Sequence, residues 1–234
     1  MLVERGLFES RTRAQAAIAA GLVTADGMPL RKASDELAVD AVLQAAPDHA
    51  WVSRGGLKLV AALDRFGFDP AGRICLDAGA STGGFTDVLL ARGARRVHAV
   101  DVGRAQLHPR LRGHAAVVSL EETDIRALDP ARLAELPDFV TIDVSFISLK
   151  LVLPALDRLT RRPARLIALI KPQFEAGRAH LKKGIVRDPA VQSAVCDDIV
   201  AFATSLGWTV AGVIPSPIEG GEGNKEFLLG ARGP

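Results

Sequence analysis

The chain has 234 residues, 48% hydrophobic and 24% charged, which is apolar enough for a real core and excludes a disordered or collagen-like chain. With 29 Lys and Arg against 27 Asp and Glu the formal net charge is only +2, so overall charge gives no sign of a nucleic-acid binder. Two cysteines, far apart, exclude a disulfide framework or a zinc site and point to a reducing cytoplasm.

In chain order, the opening MLVERGLFESR lacks the apolar stretch of a signal peptide. Ser10 is placed to cap a helix through RTRAQAAIAA, with Gly21 as its stop. LVT and MPL flank Ala25-Asp26-Gly27, a hairpin signal, and LAVDAVLQ reads as another short extended piece. These elements predict a small domain over residues 1–45, marginal by itself. APDHAW follows as a linker, residues 46–52, with Pro47 as its stiff point.

Residues 53–234 read as alternating strands and helices. GGLKLVAALDRF is an amphipathic helix, RICLDAG a buried strand and TGGFTDVLLARG a helix. RRVHAVDVG, HAAVVSL and DFVTIDV are three further strands, followed by a helix ISLKLVLPALDRL that Pro154 is placed to kink. RLIALIKP is a fifth strand, and a long helix starts at Asp188 or Pro189. WTVAGVI and KEFLLGA close the chain as consecutive strands, which predicts an antiparallel edge on a mostly parallel sheet covered on both faces. The uncharged run 199–218 is long enough to span a bilayer, but Gly207, Pro215 and Pro217 interrupt it. It reads instead as a helix end, a turn and a buried strand.

The sharpest local signal runs from Leu76 to Phe85. A strand ends at Asp77 and a turn containing Gly79, Ser81, Thr82, Gly83 and Gly84 opens into a helix at Phe85. Glycines let a ligand approach the backbone at the carboxyl end of the strands. Asp101 and Val102 end a later strand about 20 residues past the glycines, where a carboxylate grips ribose hydroxyls. Asp124, after the third strand, is a candidate for an adenine edge, or a solvated turn residue. The G-x-G-x-x-G spacing of dinucleotide sites is absent, and Asp77 suits a cationic ligand better than a pyrophosphate. This favours S-adenosylmethionine over a nicotinamide cofactor, with a turn used only for packing as the plain alternative.

Four more charges stand where charge is unexpected. Asp143 and Lys171 end buried strands, Lys58 lies on the helix before the first strand, and Glu226 opens the last strand. A Lys set among two acids and a second Lys has a tuned proton affinity, suited to orienting and helping deprotonate an alcohol. Taken singly, each reads equally as an exposed strand-end charge.

The segments VERGLFESRTRA, VSRGGLKL, CLDAGASTGGFTDVLL, AVDVG, IDVSFISL, IKPQFE and SPIEGGEGNKEF, in this order, resemble the TlyA or haemolysin A family. The resemblance implies S-adenosylmethionine-dependent ribosomal RNA 2'-O-methyltransferases, and a catalytic domain similar to the RrmJ/FtsJ type. It implies a Rossmann-like α/β methyltransferase domain preceded by a small α+β RNA-binding domain. It implies a Lys-Asp-Lys-Glu tetrad at Lys58, Asp143, Lys171 and Glu226; the expected arrangement has Asp143 and Glu226 holding Lys171 and Lys58 tuning the field. It also implies Asp77, Gly79 and Asp101 as cofactor contacts. The chain departs from the family's pattern in starting at Met1-Leu2-Val3, where an Arg-Leu-Asp sequence usually precedes the first helix. It departs again at Arg104-Ala105 and His108-Pro109, where an aromatic-Gly pair and a Trp are usual, and at Gly221, where Pro is usual.

For RNA, residues 1–40 hold five basic against six acidic side chains, a net −1, so binding requires a clustered face. Arg5, Arg11, Arg13, Arg31 and Lys32 are the candidates, and Arg161, Arg162, Lys182, Lys183 and Arg187 are further ones. With no Tyr in the chain, base stacking falls to Trp51 or the Phe residues. The expected partner is ribosomal RNA or a ribosomal subunit, and no metal ligand set is visible. Two rival readings stand beside the methyltransferase: an RNA-binding ribosome-assembly factor with vestigial chemistry, and a haemolysin-like membrane-active protein. The second finds no amphipathic barrel strands and no convincing span.

Overall fold

The computed structural model describes residues 1–8, 11–19, 21–45 and 49–233, with the backbone alone described at residues 12, 13, 16 and 222. The Ser10 cap and the Pro47 stiff point lie outside the described residues. Contacts divide the chain into two units, Met1–Ala50 and Trp51–Pro234.

In the first unit α1 (Arg11–Ala19) precedes three short strands, β1 (Val23–Ala25), β2 (Met28–Pro29) and β3 (Leu43–Ala45), ordered β2-β1-β3. The hairpin turn is Asp26-Gly27, with φ of 50° and 79°, the left-handed pair of a type I′ turn. The expected extended piece LAVDAVLQ is a strand only from Leu43; Ala41 N instead closes a turn onto Ala38 O at 3.1 Å. Ala14, Ala17 and Ile18 of the helix pack with Leu2, Val23, Ala25 and Leu30.

The second unit is built on seven strands. In chain order come α2 (Gly55–Phe66), β4 (Ile74–Ala78), α3 (Gly84–Ala91), β5 (Arg96–Val100), α4 (Pro109–Arg112), β6 (Val117–Leu120) and β7 (Phe139–Ile142). Then follow α5 (Leu149–Val152), α6 (Leu156–Leu159), β8 (Arg165–Ile170), α7 (Pro172–Glu175), α8 (Pro189–Ser205), β9 (Thr209–Pro215) and β10 (Phe227–Arg232). The order is β6-β5-β4-β7-β8-β10-β9, with β4 to β8 parallel and β10 antiparallel to both neighbours. Pro154 breaks the helix after β7 into α5 and α6 through a 3-10 turn, because its ring cannot sit in a helix interior. Asp188 accepts from Ala190 N at 2.9 Å and caps α8, with Pro189 at its first position.

Period-two alternation divides the sheet's residues between two cores. Leu76, Ala78, Val140, Ile142, Leu166 and Ala168 pack with α5, α6 and α8, while Cys75, Phe139, Ile167, Leu169 and Leu228 pack with α2 and α3. Leu59 and Leu63 of α2 are buried, each burial being worth roughly 1.5–3 kcal/mol. The chain leaves β4 toward β5 on one side and returns to β7 on the other, so a crevice opens at the carboxyl ends of β4 and β7.

Candidate active site

That crevice holds a cavity of about 810 Å³ lined by Gly79, Ser81, Asp101, Val102 and Asp124, with Ile125, Ser145, Phe146 and Leu151 among its other walls. Gly79 has φ of 82°, and a Cβ there would lie 2.4 Å from the Asp143 carbonyl oxygen. Only glycine therefore lets the turn after β4 lie against the turn after β7. Asp101 Oδ2 accepts from Ser81 N at 2.8 Å and Oδ1 from Gly103 N at 2.7 Å. Each oxygen keeps a lone pair for a ribose hydroxyl. The carboxylate together with the apolar Val102, Ile125 and Leu151 fits a nucleoside cofactor. Arg126 forks onto Asp124 at 2.6–3.0 Å and holds its carboxyl below the usual range.

The remaining candidate cofactor residues stand elsewhere. Asp77 is fully buried; Thr86 Oγ1 donates to its Oδ2 at 2.7 Å and Thr141 Oγ1 to its Oδ1 at 3.0 Å. Burial pushes its carboxyl up to about 6. It ties α3 to β7 beneath the loop and does not line the cavity. Gly83 accommodates Leu107 and Leu111, and Gly84 accommodates Ser53. Phe85 lies in the core beneath α2 and α3. Thr82 is exposed and offers its carbonyl to His108 N at 3.1 Å. Half of the Gly-rich signal is therefore packing.

A second cavity, of about 430 Å³, is lined by Lys58, Lys171 and Glu226 and shares Ser145, Phe146 and Phe174 with the first. Lys171 leaves the end of β8 and its Nζ lies 2.6 Å from Asp143 Oδ1 and 2.9 Å from Ser145 Oγ. Asp143 lines the first cavity and Lys171 the second, so this ion pair stands where the two meet. Lys58 Nζ lies 2.5 Å from Glu226 Oε2, with both side chains nearly buried. β10 runs antiparallel beside β8 with Phe227 opposite Ile170, so one further step sets Glu226 beside Lys171. Gly220 leaves room for the Glu226 carboxylate, which a Cβ there would approach to 2.1 Å. The four residues thus form two ion pairs, and Glu226 holds Lys58 rather than Lys171, which corrects the expected pairing. Two cation–anion contacts keep every charge compensated inside a largely desolvated wall.

The sequence reading missed Ser145, Phe146 and Glu175. Phe146 has φ of 64°, is 90% exposed, and lies 5.0 Å from the Phe174 ring. Glu175 accepts from Ser148 Oγ at 2.5 Å and Leu149 N at 2.8 Å, fixing the start of α5, and burial raises its carboxyl. Ser145 stands two residues past a strand-end carboxylate, a signal the sequence did carry; the backbone strain at Phe146 left none.

Among the RNA candidates, the Arg5 guanidinium donates to the carbonyls of Ala41 and Val39 inside the first unit. Arg11 and Lys32 line a cavity of about 370 Å³ together with Glu4 and Asp35. Arg31 is exposed and its amide is capped by Asp35 at 2.9 Å. The Arg13 side chain lies outside the described residues. Arg161 and Arg162 pair with Asp138 and Asp157 before β8, at the far end of the sheet from the crevice. Trp51 is half-buried over Gly56 against the core of α2 and α3. Lys182, Lys183 and Arg187 are exposed.

A doubly wound sheet with a nucleoside-type crevice at its switch point, and a Lys-rich pocket beside it, defines a methyltransferase of the S-adenosylmethionine-dependent class. Residues 51–233 match the family described as FtsJ-like methyltransferase, and the chain belongs to that family. Its cofactor is S-adenosylmethionine. The chain is 46% identical to the 16S/23S rRNA (cytidine-2'-O)-methyltransferase TlyA of Mycobacterium tuberculosis, covering 99% of this chain and 87% of that one. It is 36% identical to Hemolysin A of Brachyspira hyodysenteriae, over 95% of this chain and 94% of that one. A solved structure from Streptococcus thermophilus that also carries a hemolysin name superposes with a TM-score of 0.81 at 43% identity, covering 99% of this chain and 86% of that one. Among the described residues, no helix is long and apolar enough to cross a membrane.

Proposed function

We propose that the protein transfers the methyl group of S-adenosylmethionine to a ribose 2'-hydroxyl of ribosomal RNA, acting in the cytoplasm. The observation that carries this reading is the Lys171–Asp143 pair at the junction of the two cavities. The 46% identity with an rRNA (cytidine-2'-O)-methyltransferase supports the substrate class.

The bound cofactor supplies an electrophilic methyl on a cationic sulfur. Gly79, Ser81, Asp101 and Val102 hold its nucleoside part in the first cavity. The ribose enters the second cavity, where Lys171 Nζ donates to the 2'-oxygen and points its lone pair toward the junction. Asp143 and Ser145 fix that Nζ, and the Lys58–Glu226 pair closes the opposite charge balance. When bound, the cofactor would give its methyl to the 2'-oxygen, and the hydroxyl proton would pass to the Asp143 carboxylate and on to water. Most of the acceleration comes from holding the two reactants in line. The exposed ring of Phe146, in the wall of both cavities, offers an aromatic surface to the target base. The small unit contributes RNA contacts through Arg11, Arg31 and Lys32.

The reading is tested with Lys171→Ala and labelled cofactor. Cofactor affinity holds within a factor of two or so while methyl transfer to ribosomal RNA falls by at least about a hundredfold. Undiminished transfer removes Lys171 from the chemistry. Such a result also reopens the assembly-factor alternative, which the fully paired set of Lys58, Asp143, Lys171 and Glu226 disfavours.

A further inference from the structure

Between Glu175 and Asp188 the chain carries Arg178, His180, Lys182, Lys183 and Arg187 and no carboxylate. Among the described residues none of Arg178, Lys182, Lys183 and Arg187 forms an ion pair. Part of this segment borders the second cavity: Leu181 and Gly184 are in its wall with Lys58, Lys171 and Glu226. Lys182 and Lys183, between those two in sequence, are exposed.

The backbone says more than the charge. Lys182 and Ile185 bridge, with N–O distances of 2.9 and 3.2 Å, around a two-residue turn in which Lys183 has φ of 52° and Gly184 φ of 78°. That is a type I′ turn, whose first position favours Asn, Asp or Gly and disfavours a Lys. Elsewhere the chain makes the same turn with Asp26-Gly27. A non-glycine residue held at such a φ is a starting point for a functional hypothesis. The turn is also aimed: Asn224 Nδ2 donates to Gly184 O at 3.4 Å and to Gly221 O at 3.1 Å, tying it to the loop that leads to Glu226.

We infer that Lys183 is a positioning residue, a phosphate clamp that grips the RNA backbone beside the target ribose. It rests on the ribosomal RNA reading above. The ammonium ion at the tip of a flexible stem reaches a phosphate without needing a fixed fork geometry.

The test is Lys183→Asn in the full chain, because Asn suits the turn and removes the charged reach of the side chain. Purified ribosomal RNA is the probe, in filter binding over a salt series. Expected are several-fold weaker binding, a salt slope shallower by about 0.7 to 0.9, a raised KM for RNA with kcat held, unchanged cofactor affinity and an undiminished melting temperature. Lys183→Arg restores binding and slope. Equal affinity and slope in wild type and Lys183→Asn overturns the clamp, as does loss that Lys183→Arg fails to restore. Failure of the wild type to label RNA ribose would sink the proposed reaction instead, and the salt slopes would still judge Lys183.

Discussion

Lys58 Nζ and Glu226 Oε2 lie 2.5 Å apart although 168 residues separate them in the chain. Their side chains are about 10% and 3% exposed, so both charges are largely desolvated. Removing one partner leaves the other buried and uncompensated, at a cost of roughly 3–5 kcal/mol. Lys58→Ala and Glu226→Ala are therefore each expected to destabilise strongly in urea titration. The neutral pair Lys58→Met with Glu226→Gln recovers most of that loss but not methyl transfer. A double variant as unstable as the two singles combined would show that the pair's packing, not its charge balance, matters to the fold.

Asp77 gives a pH dependence with a definite sign. Its folded carboxyl titrates at about 6 because burial opposes ionisation, outweighing the Thr86 and Thr141 hydrogen bonds. The unfolded value is near 3.9. A raised carboxyl binds more protons folded than unfolded between these values, so its contribution is full below about pH 4 and is lost as pH rises through about 6. The loss is on the order of 2–3 kcal/mol. Asp77→Asn, able to keep both threonine contacts, is expected to lose less unfolding free energy than wild type between pH 4 and pH 8. Parallel pH profiles would place the Asp77 carboxyl at an ordinary value.

Gly79→Ala tests the crevice itself. The substitution forces a side chain into φ of 82° and against the Asp143 carbonyl, so either the β4 turn or the β7 turn must move. The expected outcome is a cofactor affinity at least about tenfold weaker in calorimetry, alongside a stability loss above about 1 kcal/mol. Unchanged affinity would mean that the two turns are not held together by this contact.

Phe146→Ala separates RNA contact from the fold. The ring is 90% exposed, so the melting temperature should hold. The KM for ribosomal RNA should rise several-fold if the ring meets the target base. An unchanged KM removes Phe146 from substrate contact.

The sheet was legible because its strands are continuous apolar runs ending abruptly in charge: Asp143 after Ile142 and Lys171 after Ile170. The strand ends also placed both side chains at the crevice. Which acid holds which amine was not legible. That depends on β10 inserting between β8 and β9, which carries Glu226 to the cavity that Lys58 of α2 also lines. Only part of the Gly-rich run, Gly79 and Ser81, lines the crevice, for a related reason. Gly83 and Gly84 are small for the sake of Leu111 and Ser53, and the sequence does not distinguish a glycine that admits a ligand from one that admits a neighbour. Asp77 lies fully buried beneath the loop, bonded to Thr86 and Thr141, a placement that strand alternation alone did not reveal.

The most direct test of the account is mass mapping of methylation on ribosomal RNA from each subunit, treated with the protein and labelled cofactor. The account predicts label on a ribose 2'-oxygen with wild type and none with Lys171→Ala. Label on a base, or ribose label undiminished in Lys171→Ala, would contradict it.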